Sequence, residues 1–190
     1  PKCNMTTGEL VSMEALARWQ KSDGTFISPG EFIPLFESSG FITRFDMYIW
    51  KSVCKTLAAW RDKGCKLVPI SINVSMIDIT NIDVPQYLSM LTEQYHISPE
   101  YLPVEITESV FAESNTIVKN TITRFHKKGF YVLMDDFGSG YSSLNVLKDA
   151  NVDYLKLDMK FMQIDAKNKG KGIQILKSIV DMAYRLGLVI

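Results

Sequence analysis

The sequence predicts an α/β fold, a (β/α)₈ TIM-like barrel of which this chain carries an incomplete part. Three observations predict it. Short apolar runs alternate with amphipathic segments along the chain, as in a mostly parallel sheet with helical crossovers. About six strands and the start of a seventh can be read, where a closed barrel has eight in about 250 residues. Acidic or amide residues end strand after strand, which a barrel mouth requires and an open doubly wound sheet does not.

Residues 1–5 read as the end of a first strand, turned at Thr6-Thr7-Gly8. A second strand spans 10–16, and a polar loop around Asp23-Gly24 follows it. Ser28-Pro29-Gly30-Glu31 has the form of a capping box with proline at the first helical position. It predicts a helix carrying Phe32, Ile33, Leu35 and Phe36 and stopping near Gly40. A longer helix is predicted over 43–64, with Phe45, Ile49, Val53, Leu57 and Trp60 spaced along one face. Further strands are predicted over 67–74, 101–107, 130–134 and 152–157, and another begins at Leu188. Helices are predicted over 85–95, 115–128, 142–148 and 170–186.

At 190 residues and 46% hydrophobic content the chain can bury the core of one sizeable domain. Lys+Arg and Asp+Glu are both 21, so the net charge is +0 and gives no electrostatic grip on a DNA or RNA duplex or an anionic membrane. Cys3, Cys54 and Cys65 are odd in number and lack metal-ligand spacing, as expected of reduced residues in a cytoplasmic domain. No apolar run approaches the roughly 20 residues of a membrane helix. The chain begins at Pro1 and stops at Ile190 within an apolar run, which reads as one domain, 1–190, lacking its extreme N-terminal strand and its C-terminal part.

The chemistry centres on Asp135-Asp136-Phe137-Gly138-Ser139-Gly140, where two carboxylates follow a strand and lead into a glycine-rich turn. Side chains alternate along a strand, so the two acids point different ways. Glu14, Asn73 and Glu105 end other strands, and Lys156 lies within an apolar one. Four carboxylates and an amide make a hard oxygen cage suited to Mg²⁺ or Mn²⁺, and two such ions support in-line attack on a phosphodiester. Each residue has a plainer reading as well. Asp136 or a later serine can cap a helix, Glu14 can be a surface acid, Asn73 a turn former and Glu105 a solvated acid. A lysine in an apolar strand must snorkel or pair with a carboxylate. Six such residues at six ordered places are harder to dismiss than any one of them.

Asp135-Asp136-Phe137-Gly138-Ser139-Gly140-Tyr141-Ser142-Ser143-Leu144 resembles the loop after the fifth strand of the EAL-domain cyclic di-GMP phosphodiesterases, and Glu14-Ala15-Leu16 matches the tripeptide that names the family. The resemblance covers nearly the whole chain. It implies hydrolysis of cyclic di-GMP to linear pGpG with two Mg²⁺ or Mn²⁺ ions. It assigns Glu14, Asn73, Glu105 and Asp135 to one metal, with Asp135 bridging to a second, and Asp136 to the second metal and the catalytic water. Lys156 matches the lysine that positions that water, Arg18 the arginine that pairs with a substrate phosphate, and Glu108 the acid that holds the loop after Asp136. It further implies a homodimer and fusion to sensor or diguanylate cyclase domains. The family's strand-seven glutamate and strand-eight glutamine are expected beyond Ile190, and another glutamine before Pro1. Residues 1–190 alone are therefore expected to be inactive and prone to associate. Asp149-Ala150-Asn151 departs from the commoner Leu-Pro step. The rivals are an inactive cyclic di-GMP receptor of the same fold and a barrel hydrolase for another phosphoester.

Overall fold

The chain divides into two compact units, Pro1–Val104 and Glu105–Ile190. The computed structural model describes residues 1–113, 115–139, 147–148, 150–159 and 169–190.

In the first unit, β1 (Lys2–Cys3) pairs antiparallel with β2 (Leu10–Glu14). The predicted turn between them is tightened by Asn4, whose Oδ1 accepts the amides of Thr6 and Thr7 at 2.8 and 3.0 Å. Strand β2 pairs in parallel with β5 (Ile70–Asn73), so Glu14 and Asn73 end neighbouring strands. The predicted polar loop contains a short hairpin, β3 (Trp19–Gln20) against β4 (Phe26–Ile27). Asp23 closes it by accepting the amide and hydroxyl of Thr25 at 2.9 and 2.6 Å.

Helix α1 (Pro29–Ser38) starts where its cap predicts, but Ser28 accepts from the amide of Gly30 rather than Glu31, so the predicted box is not made. A reciprocal box forms instead at Ser75 and Asp78, opening α3 (Met76–Asn81), a helix the sequence reading passed over. Helix α2 (Ile42–Asp62) buries Trp50, Val53, Cys54, Leu57 and Ala58. Val53 and Leu57 are on the predicted face, but Trp50 replaces Ile49 and Trp60 is half-buried. The reason is the partner surface: α2 packs on β5, α3 and α4 (Val84–Tyr95), which adds small Cys54 and Ala58 to the contact. A 3₁₀ turn, Pro99–Tyr101, leads to β6 (Val104–Thr107), whose first residue closes the unit.

In the second unit β6 ends in α5 (Glu108–Glu113), and α6 (Asn115–Lys127) packs on β7 (Val132–Phe137). Strand β7 pairs in parallel with β8 (Tyr154–Leu157), and α7 (Lys169–Arg185) returns the chain to Val189, which bridges Tyr154 in parallel. Ile106, Phe125, Phe130, Val132, Met134 and Leu155 are buried. Asp153 braces the lower end of β7, accepting the Val132 amide at 2.7 Å and bonding His126 Nε2 at 3.0 Å. The strand predicted over 130–134 extends to Phe137, so both aspartates lie within it. Most of the helix predicted over 142–148 lies outside the described residues.

One contact in the first unit has a pH signature. Asp78 Oδ2 takes the Ser75 amide and hydroxyl at 2.9 and 2.7 Å, while its Oδ1 is buried without a partner. Burial first, then the charge of Asp78 and a hydrogen bond to it, push Asp46 of α2 up to about 8. An ionised Asp46 has no proton to give; a neutral one can donate to Asp78. The folded protein therefore holds a proton that the unfolded chain releases near 3.8. Stability from this group is full below about pH 4 and is lost as pH rises toward about 8. Asp46→Asn, whose amide donates at every pH, is expected to flatten that slope in urea unfolding between pH 5 and 9.

Candidate metal-dependent hydrolytic site

The first unit contributes two of the predicted residues. Pairing of Met13 with Ile70 and of Glu14 with Ser71 sets the ends of β2 and β5 side by side. Asn73 Nδ2 donates to Glu14 Oε1 at 3.4 Å. The Asn73 backbone is fixed from behind, because the buried Trp50 needs an acceptor for its indole N–H and donates to the Asn73 carbonyl at 3.0 Å. Sequence reasoning missed that bond, although a tryptophan on a core-facing helix stripe signals a polar partner. Arg18 is exposed, four residues beyond Glu14, with Nη1 on the Ala17 carbonyl at 2.8 Å.

The second unit gathers the rest. Glu105 of β6 and Asp135 of β7 are buried, and Lys156 of β8 donates to Glu105 Oε2 and to Asp135 Oδ2, both at 3.0 Å. The lysine in an apolar strand thus pairs with two carboxylates at once. Burial pushes the Asp135 carboxyl above its ordinary range, against the hydrogen bond and charge of Lys156. One ammonium thus reaches both buried acids.

Asp136 is exposed where its neighbour is buried, as strand alternation predicts, but the strand is irregular there. Asp136 has φ +55°, a left-handed conformation that non-glycine residues seldom take, and its amide donates to Asp135 Oδ1 at 2.7 Å. Gly138 continues the bend at φ +91° and donates its amide to Glu108 Oε2 at 2.8 Å. Glu108 is buried at the start of α5, so its carboxylate is a fixed anchor for the chain after Asp136. Residues 140–144 of the loop lie outside the described residues.

Glu105 and Asp135 each present an oxygen within 4.8 Å of the other. Two buried carboxylates with oxygens this close suit a hard divalent cation, which favours oxygen donors. These residues fit the metal that the sequence implies.

A family model described as the EAL domain matches residues 1–190. The chain is 34% identical to the probable cyclic di-GMP phosphodiesterase PdeB of Escherichia coli, across 99% of this chain and 35% of that protein. It is also 34% identical to the cyclic di-GMP phosphodiesterase PdeR of Escherichia coli, across 95% of this chain and 27% of that protein. The chain thus spans about a third or less of these relatives. Among solved structures, the PaMucR phosphodiesterase in complex with c-di-GMP superposes with a TM-score of 0.85 at 27% identity, covering 95% of this chain and 73% of that one. Domains of this kind are TIM-like barrels, the fold that the strand–helix alternation predicts.

Lys156→Met removes the charge between two buried acids while keeping the apolar stem. With divalent ions chelated, it is expected to cost about 3 kcal/mol in urea unfolding, the low end for breaking a buried pair, because Lys156 is partly exposed. Added Mn²⁺ should recover part of that loss if a cation can bind the same two carboxylates.

Proposed function

The chain belongs to the EAL domain family, and from that premise we propose that it hydrolyses one phosphodiester bond of cyclic di-GMP to give linear pGpG. The observation that carries the proposal is the buried Glu105–Lys156–Asp135 group at the ends of neighbouring strands. The relatives named as cyclic di-GMP phosphodiesterases support the substrate class.

Glu105 and Asp135, with Glu14 and Asn73 of the first unit, are the proposed ligands of one Mg²⁺ or Mn²⁺. Asp135 and Asp136 serve a second. When bound, the ions offset phosphate charge and make the attacking water more acidic. Lys156 donates a hydrogen bond to that water and holds its oxygen toward phosphorus. Asp136, exposed at the bend, accepts a hydrogen bond from the same water. Water adds across the P–O3′ bond, so hydroxide ends on phosphorus and a proton on the departing 3′ oxygen. That places the phosphate at the 5′ end of pGpG. Arg18 has the forked donors to pair with a non-bridging phosphate oxygen. Glu108 keeps Asp136 in place through Gly138 rather than by touching substrate. The domain assignment to residues 1–190, assembly as a homodimer and fusion to signalling domains belong to the same proposal.

In the full-length protein, chromatography of cyclic di-GMP incubated with Mg²⁺ or Mn²⁺ is expected to show pGpG. Glu14→Ala should abolish the product while leaving the circular dichroism spectrum intact. Lys156→Met should lower kcat by about 10²-fold with little change in KM. Arg18→Ala should chiefly raise KM, by about tenfold, as loss of one charged phosphate contact. Tight cyclic di-GMP binding without any hydrolysis in the wild type would favour the receptor reading. Turnover of other phosphoesters alone would favour the third.

A further inference from the structure

The sheet of the first unit carries a lysine on the same face as Glu14 and Asn73. Paired strand residues share a face, and residues two apart along a strand repeat it. Lys2 pairs with Ser12, Ser12 shares a face with Glu14, Glu14 pairs with Ser71, and Asn73 repeats the face of Ser71. Lys2 starts one pair below Glu14 and reaches up: its Nζ donates to Ser71 Oγ at 2.9 Å. Ser71 gives its own proton to the Met13 carbonyl at 3.1 Å, so toward the ammonium its oxygen is the acceptor. Ser71 is 1% exposed. The positive charge is therefore held beside the residue laterally next to Glu14, beneath the Asn73–Glu14 contact at 3.4 Å.

We infer that Lys2 is the built-in countercharge of this face, a positioning residue that steadies Glu14 before a divalent ion arrives and opposes the ion once it is bound. The inference rests on the divalent-ion reading above. A protonated lysine cannot be a ligand, so its influence is electrostatic. In the ion-free protein it offsets the charge of the Glu14 carboxylate from the buried Ser71 side of the face. With the ion present, both act on the same carboxylate and repel one another. Both effects have one sign: Lys2 lowers ion affinity while lowering the cost of the empty state. A lysine that merely tied β1 to β5 would behave differently. Its loss would loosen the sheet and weaken ion binding.

The test is Mn²⁺ affinity of the full-length protein, read from the free-ion electron paramagnetic resonance signal, for wild type, Lys2→Met, Lys2→Gln and Lys2→Arg. Lys2→Gln keeps a donor for Ser71 without the charge, and Lys2→Arg keeps the charge. Met and Gln are expected to bind Mn²⁺ about tenfold more tightly than wild type, the size of one unit charge several ångströms from a divalent ion near water. Arg should stay near wild type. The same Met and Gln variants should melt lower than wild type in chelator and gain more on adding Mn²⁺. Should Lys2→Met fail to fold, the Gln and Arg pair decides. Unchanged or weaker Mn²⁺ binding by Lys2→Gln overturns the countercharge role while leaving the metal reading in place. Wild-type protein that binds no Mn²⁺ overturns the metal reading and this role with it.

Discussion

Two buried carboxylates share the Lys156 ammonium at the end of the second unit's ladder, and the local structure is arranged around that contact. Glu105 and Asp135 would repel one another in a dry setting. Lys156 reaches both at 3.0 Å and keeps the strand ends from splaying. Its stem follows an apolar strand, so the charge is delivered from a segment that otherwise builds core. Replacing a buried ionic triad by apolar residues of similar volume is often neutral or stabilising. Retaining these three residues at a strand mouth therefore suits chemistry better than stability.

Within each unit, buried contacts fix backbone rather than side-chain tips. Trp50 holds the carbonyl of Asn73, Glu108 holds the amide of Gly138, and Asp153 holds the amide of Val132 at the opposite end of its strand. Each uses a side chain from another element to set where a functional strand starts, ends or bends. A carboxylate or amide at the end of such a strand then needs only a rotamer choice to face a ligand, which limits the entropy lost on binding.

Periodicity made the alternation of strands and helices legible, along with most element positions and the strand-end residues Glu14, Asn73, Glu105, Asp135 and Lys156. It missed the β3–β4 hairpin because two-residue strands have no periodicity to detect; only Asp23 and its bonds to Thr25 mark that turn. Helix α3 was passed over because Asn73-Val74-Ser75 reads as strand end and turn, while its cap is a serine–aspartate pair with six helical residues behind it. The face of α2 was placed one residue off because a helix stripe is set by what it meets, and Cys54 and Ala58 carry little hydrophobic signal. The carboxylate–lysine contacts depend on strands 51 and 21 residues apart in sequence becoming neighbours, which no local pattern encodes. Motif resemblance supplied the roles proposed for those residues.

The bend at Asp136 shows how the two kinds of information meet. An aspartate tolerates the left-handed region better than most residues, yet glycine would take φ +55° with less strain. Glycine would also remove the exposed carboxylate. The chain keeps the acid and accepts the strained backbone, then steadies it on both sides, with the Asp136 amide on Asp135 and the Gly138 amide on Glu108. Both steadying acceptors are themselves carboxylates. Any cation drawing on Asp135 would compete for an oxygen that also holds the bend, so ion occupancy and backbone shape are linked through one side chain. The buried Glu108 gives the bend a second anchor with no proposed share in metal binding. That separation lets the turn keep its form while the charges at Asp135 change.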